Sequence, residues 1–265
     1  MYQKQKIFAE ELEYINSPEI KGFAKFVVNR LPDYFFDVSA SSTGKYHPAY
    51  ALGAGGLVRH TKAAILIAHE LFNLEQVSFT QSEKDCIIVA LMFHDGWKHG
   101  DVTRSKYTSF NHPLVAEKHL RELFEEYIKS EHSIADQTCI EVIASAVASH
   151  MGQFNTSSRE STVLPKPQTD IQKFVHECDY LASRKKLLID FENYYNPSDY
   201  LVTSELREAI DEFIEFCKKL IANGVDRNLI YQTIAENNDG VKNPNKIKSL
   251  QVLKQVQQEV SKLAV

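Results

Sequence analysis

An unbroken apolar run from Cys86 to Phe93 ends abruptly in His94-Asp95, and this junction constrains the chain more than any other stretch. An apolar run of this length belongs to a helix buried on most sides. Such a helix does not end in an adjacent imidazole and carboxylate unless something offsets their desolvation, because unpaired buried polar groups are expensive. A bound cation does so, since neutral imidazole and ionised carboxylate are both metal ligands. Taken alone, the pair also fits a helix end with a capped histidine and an ordinary surface aspartate. The rest of the histidine pattern decides between the two.

Helical signals continue along the chain. Only 10 glycines and 8 prolines in 265 residues argue against an all-β chain full of tight turns. Ser17-Pro18-Glu19 is a strong helix start, with Ile20, Phe23, Ala24, Val27 and Leu31 on one face and Pro32 as the stop. A second helix runs from Leu57 to about Asn73 and carries His60. Ser82-Glu83-Lys84-Asp85, a capping box with Asp in place of Glu, begins the His94-Asp95 helix. His112-Pro113 opens another. A helix from Ile134 to Ser149 ends in His150, with Gly152 after it, and one capped by Thr169 or Asp170 runs to about Leu188 and carries Asp179. Beyond Pro197-Ser198 the composition changes. An amphipathic helix through Leu206 and Cys217 is followed by two more, at Asp226 to Ala235 and Ile247 to Leu263. The expected architecture is all-α. Residues 1–46 form an N-terminal helix and loop packed on a bundle core at 47–190, and residues 191–265 form a helical extension for packing, lid or homo-oligomer formation.

Composition excludes several classes. With 43% apolar residues the chain can bury a sizeable core, and a net charge of −5 gives no global basic field for nucleic acid. Lys242, Lys246, Lys248 and Lys254 make the one local basic cluster, whose usual meaning is a solvated helix face. The four cysteines have no CxxC spacing and read as free thiols in a reducing cytoplasm. No stretch reaches the length of a membrane span, and the first residues are not an apolar leader, so the expectation is a cytoplasmic protein with no membrane partner. Ser42-Thr43-Gly44-Lys45 lacks the first glycine of a phosphate loop and has Tyr46 where Ser or Thr belongs. Lys45 and His47 either line a site or sit in a solvated loop.

His60, His94, Asp95, His112, His150 and Asp179 each fall on a different expected helix, the adjacent pair excepted. Bundles point such residues inward to build metal sites. In order, the chain reads Gly55-Gly56-Leu57-Val58-Arg59-His60-Thr61, His94-Asp95-Gly96-Trp97-Lys98, Asn111-His112-Pro113, Ser149-His150-Met151-Gly152 and Glu177-Cys178-Asp179-Tyr180-Leu181. This order resembles the HD-domain superfamily of metal-dependent phosphohydrolases over roughly His47 to Arg184. His112 and His150 resemble its two-metal subset, which includes phosphodiesterases and bacterial 3′-to-5′ exoribonucleases. The chain departs from the family at Trp97, where glycine is usual, and at His150-Met151, where many two-metal members have His-His.

The resemblance implies that His60, His94, Asp95 and Asp179 hold one divalent ion, and that Asp95 bridges to a second held by His112 and His150. Histidine-rich ligation favours Mn, Fe, Co, Ni or Zn over Mg. Asp95 and Lys98 are the implied catalytic residues, Lys98 otherwise reading as a surface lysine. Lys45, His47, Lys98 and Arg184 are the candidate substrate contacts, Arg184 reading equally as an exposed salt bridge. The implied activity is hydrolysis of a phosphoester, a phosphodiester first, in a nucleotide or nucleotide-like molecule by a metal-activated water. The alternatives are a 3′-to-5′ exonuclease acting on a nucleic-acid 3′ end and a non-catalytic nucleotide sensor. His69, His99, His119, His132 and His176 are read as structural, with His99 the first among them to suspect of function.

Overall fold

The computed structural model describes residues 3–44, 47–100, 107–131, 137–187 and 204–230. It is all-α, with no strand among the described residues. Residues 4–197 form one compact unit, and residues 198–265 with 1–3 form a second that contains helix α9 (Ser204–Ala222). Lys45, His132, the lysine cluster and the helix expected at Ile247 to Leu263 lie outside the described residues, as does the second half of the helix expected at Asp226 to Ala235. No helix among the described residues is long and apolar enough to cross a membrane.

The first unit is built on α3 (Pro18–Arg30), α4 (Gly56–Leu71), α5 (Gln81–Phe93), α6 (His112–Glu131), α7 (Gln137–Ser149) and α8 (Asp170–Ala182). Helix α5 is buried along nearly its whole length, and packs on α3, α4, α7 and α8. Its mean burial explains why its sequence is apolar on every side rather than striped. Helix α4 packs on α8, and α6 on α7, so the ends of five helices converge on one place.

Local chemistry sets these boundaries. Ser17 caps α3 by accepting from the Ile20 N–H, with Pro18 in the first turn, as its sequence predicts. The start of α5 differs from the expected one. Thr80 is the cap, and Thr80 with Glu83 forms the capping box. Thr-x-x-Glu satisfies two amides reciprocally, which leaves Asp85 free for another task. Asp85 accepts instead from the amides of Asn16 (3.1 Å) and Ser17 (2.7 Å). Helix α8 begins after Thr169, in a second capping box with Gln172, and stops at Ala182, short of the expected Leu188.

Two short helices, α1 (Lys4–Ile7) and α2 (Ala9–Glu13), precede α3. They anchor through Ile7, Phe8, Leu12 and Ile15, all buried, and through a buried ion pair. Lys62 Nζ on α4 donates to both carboxylate oxygens of Glu11 at 2.7 Å. Residues 38–44 and 47–55 then lead to α4. Arg59 donates to the carbonyls of Tyr50 and Leu52, and Tyr50 Oη donates to the Ala182 carbonyl at 2.8 Å, which ties the loop to the end of α8. Gly56 is required where the loop meets α4: a Cβ there would collide with the backbone of Ala51.

Candidate metal centre

Each candidate ligand sits at a helix end or on a helix face that turns inward. His60 lies in the second turn of α4, and His94 is the C-cap of α5 with Asp95 next to it. His112 opens α6, His150 follows α7, and Asp179 is in the last turn of α8. The structure brings all six together. They fall into two groups whose ligand atoms lie within 4.8 Å of one another: His60, His94 and Asp179, and Asp95, His112 and His150. Five of the six are buried, and only the Asp179 side chain is partly open, at 17%.

Asp95 divides its two oxygens between the groups. Oδ2 lies 3.4 Å from His94 Nε2 and 3.6 Å from His60 Nε2. Oδ1 lies 3.0 Å from His112 Nε2 and 3.8 Å from His150 Nε2. Asp179 Oδ1 completes the first group, 2.9 Å from His60 Nε2 and 3.5 Å from His94 Nε2.

The protein backbone sets which imidazole nitrogen faces the centre. Nδ1 of His94, His112 and His150 lies 2.7 Å from the carbonyls of Leu91, Ser109 and Val147. A carbonyl only accepts, so these nitrogens carry the proton, and in a neutral ring Nε2 is then a lone pair. The Nε2 atoms meet in pairs at 3.2 Å, His60 with His94 and His112 with His150. Carbonyl-fixed imidazoles with converging lone pairs are the usual outer support of a metal site.

Electrostatics agree with a place built for cations. Burial opposes charge on Asp95, yet Lys98 and His94 outweigh it and hold the carboxyl well below the usual carboxylate range. Burial likewise opposes charge on Asp179, and hydrogen bonds from His60 and His94 outweigh it in the same direction. Both carboxylates are thus held ionised in the same cluster of histidines, Asp95 buried and Asp179 partly open to the cavity. Burial also disfavours a charged His94, but Asp95 and Asp179 push it up to about 10, so without a metal its ring supplies a compensating charge. His150 goes the other way, to about 3, through burial and then His94 and His112. Asp95 Oδ1 and His60 Nδ1 are buried and make no well-directed hydrogen bond. An orphaned carboxylate oxygen amid histidine lone pairs fits a divalent ion, and both groups could hold one.

The centre forms one wall of a cavity of about 470 Å³. Lys98 and His47 also line it, as does Arg184 just beyond α8. Lys98 Nζ donates to Asp95 Oδ2 and the residue is 7% exposed, so Lys98 is buried rather than a surface lysine. His47 lies edge-on to His60 with ring centroids 5.1 Å apart, and is pushed down to about 3 by burial, then by His60 and Lys98. Among the described residues Arg184 has no salt bridge. It donates to the Tyr180 carbonyl and Ser183 Oγ, and its guanidinium sits 4.0 Å from the Tyr180 ring centroid.

Sequence reasoning missed His176, one turn before Tyr180, which lines the cavity. Its Nδ1 is 2.6 Å from the His150 carbonyl and its Nε2 is 2.8 Å from Gln153 Oε1. Its register with Asp179 on the same helix was the available signal. His99, the first suspect, stacks on Tyr34 instead, and Trp97 lies flat on His119 with centroids 4.6 Å apart. No protein-family model, curated protein or solved structure matches the chain.

Proposed function

We propose that the chain is a metal-dependent phosphohydrolase of the HD-domain type, acting on a phosphoester, a phosphodiester before a monoester, in a nucleotide-like substrate. The observation that carries this reading is Asp95, which offers one carboxylate oxygen to each of two histidine groups at the wall of a cavity. His60, His94 and Asp179 would hold one ion and His112 and His150 the other, with Asp95 shared between them. When bound, such ions supply Lewis acidity toward water and phosphoryl oxygens.

The chain's own residues do the rest. The carbonyls of Leu91, Ser109 and Val147 keep three imidazoles in one tautomer, so the ligand lone pairs need no reorganisation. Lys98 steadies Asp95 and presents positive charge to the phosphoryl group. Arg184 supplies a planar donor fork at the cavity wall for a second phosphate oxygen. His47 lines the cavity, and its buried Nδ1, with no hydrogen-bond partner among the described residues, is a contact for a substrate hydroxyl. A small nucleotide suits the negative net charge better than a nucleic-acid 3′ end.

The test is product analysis. Mn-loaded protein is incubated with cyclic, linear and mono- to triphosphorylated nucleotides and short oligonucleotides, with Asp95→Ala as the control. Turnover of one class that vanishes in the variant supports the reading. Metal-bound protein with no turnover of any member counts against it.

A further inference from the structure

The wall of the cavity opposite in chemistry to the carboxylates is aromatic. Phe154 lines it and is 49% exposed, an unusual state for a large apolar ring in a concave site. Its plane is within 11° of that of Tyr180, with centroids 6.5 Å apart. The two rings therefore share one orientation, and a planar group lying on Phe154 is parallel to both. Arg184 already lies over the Tyr180 ring, while Phe154 keeps half its surface open.

Phe154 is also held in place. It ends the short 3-10 turn Gly152–Phe154, four residues after His150. On one side His176 bonds both the His150 carbonyl and Gln153. On the other, Asn155 and Leu164 exchange two hydrogen bonds, Leu164 N–H to the Asn155 carbonyl at 2.9 Å and Asn155 Nδ2 to the Leu164 carbonyl at 3.0 Å. Gly152 has φ +56°, and a Cβ there would run into the His176 ring, so the turn accepts only glycine without displacement. A turn held in this way limits the backbone entropy lost when a ligand settles on its ring.

We infer that Phe154 is the stacking platform for the nucleobase of the substrate, and so a specificity-determining residue that fixes the base at a set distance from the metal-ligand His150. The inference deepens the phosphohydrolase reading and rests on it for the class of planar group. Base–aromatic stacking tolerates any base, because every base has a π-face. The cavity volume lies within the range of small-molecule sites, about 300–1,000 Å³. Recognition would thus come from the phosphate end and the ring plane together, with little choice among the four bases.

The experiment uses the full chain in Mn-containing buffer, with 2-aminopurine riboside 5′-phosphate as a fluorescent probe read immediately after mixing. Ribose 5-phosphate, which lacks the base, is measured as a competitor of the probe on each protein. Stacking quenches the probe. Wild type is expected to quench it, Phe154→Ala to bind it roughly ten-fold more weakly with the quench lost, and Phe154→Trp to restore both. The inhibition constant of ribose 5-phosphate is expected to stay the same in all three. Equal probe affinity in wild type and Phe154→Ala, an equal loss for ribose 5-phosphate, or no quench in wild type would each overturn the inference. Hydrolysis followed in parallel separates the two ideas. Stacking with no turnover of any member of the nucleotide and oligonucleotide panel sinks the phosphohydrolase reading alone, and turnover of a panel nucleotide with kcat/KM unmoved by Phe154→Ala sinks the platform alone.

Discussion

His112 and His150 turn their Nε2 atoms toward each other at 3.2 Å, and each has committed its Nδ1 proton to a backbone carbonyl. Two imidazoles arranged so gain nothing from one another when both are neutral. The pair makes chemical sense once a third body shares the lone pairs, and Asp95 Oδ1, without a well-directed hydrogen bond, points at the same place.

Metal content is expected to separate the two groups. Wild type should take up two equivalents of Mn or Zn, measured by mass spectrometry of the dialysed protein. His150→Ala should keep one equivalent and His60→Ala the other. Asp95→Ala should bind neither tightly, because it offers an oxygen to each group. Two equivalents retained in Asp95→Ala would rule out a shared carboxylate.

Lys62→Met should destabilise the protein by about 3–5 kcal/mol in urea, because it leaves Glu11 buried without its partner. The double variant Glu11→Leu with Lys62→Met should recover much of that loss. Burial already raises Glu11 above its ordinary value, against the pull of Lys62. A raised carboxyl is favoured in its neutral form by the fold. Stability from it is therefore present at low pH and lost as pH rises through the folded value. The deficit of Lys62→Met should accordingly be smaller at pH 5 than at pH 8, and a deficit that grows on acidification would refute this account.

Gly152→Ala should lower the melting temperature and weaken metal binding at the His112–His150 group together. The position has φ +56°, where a side chain costs about 1–3 kcal/mol, and the new Cβ would push His176 off the His150 carbonyl. Phe154→Ala, two residues on, serves as the contrast. Its side chain is half exposed, so metal content should be unchanged.

Much of the helical plan was legible in the sequence. Ser17-Pro18 and Thr169 mark two starts, and apolar spacing marks α3, α4 and α8. The six candidate ligands could be collected because each ends a helix or interrupts a buried face, which is unusual for His and Asp. What stayed hidden depends on partners distant in the chain. Helices α1 and α2 are too short for a periodic signal; α2 is held through Glu11 by Lys62, far along the chain, and Asp85 fixes the Asn16-Ser17 corner that follows it. Asp85 itself was misread as a capping residue because its true partners, the amides of Asn16 and Ser17, are invisible to local pattern. His176 gains its role from the carbonyl of His150, just past the end of α7; its register with Asp179 puts it on the right face but does not announce that contact.

Five helices each contribute to the centre, and no two ligands except His94 and Asp95 are neighbours in sequence. An ion held there would knot together segments from residue 60 to residue 179. Releasing any one helix would then require breaking ligand bonds first, so loading should slow global unfolding far more than it sharpens any single contact. The loaded chain would resist heat and protease by persistence in time, a property written into the order of its helices rather than into the strength of its core.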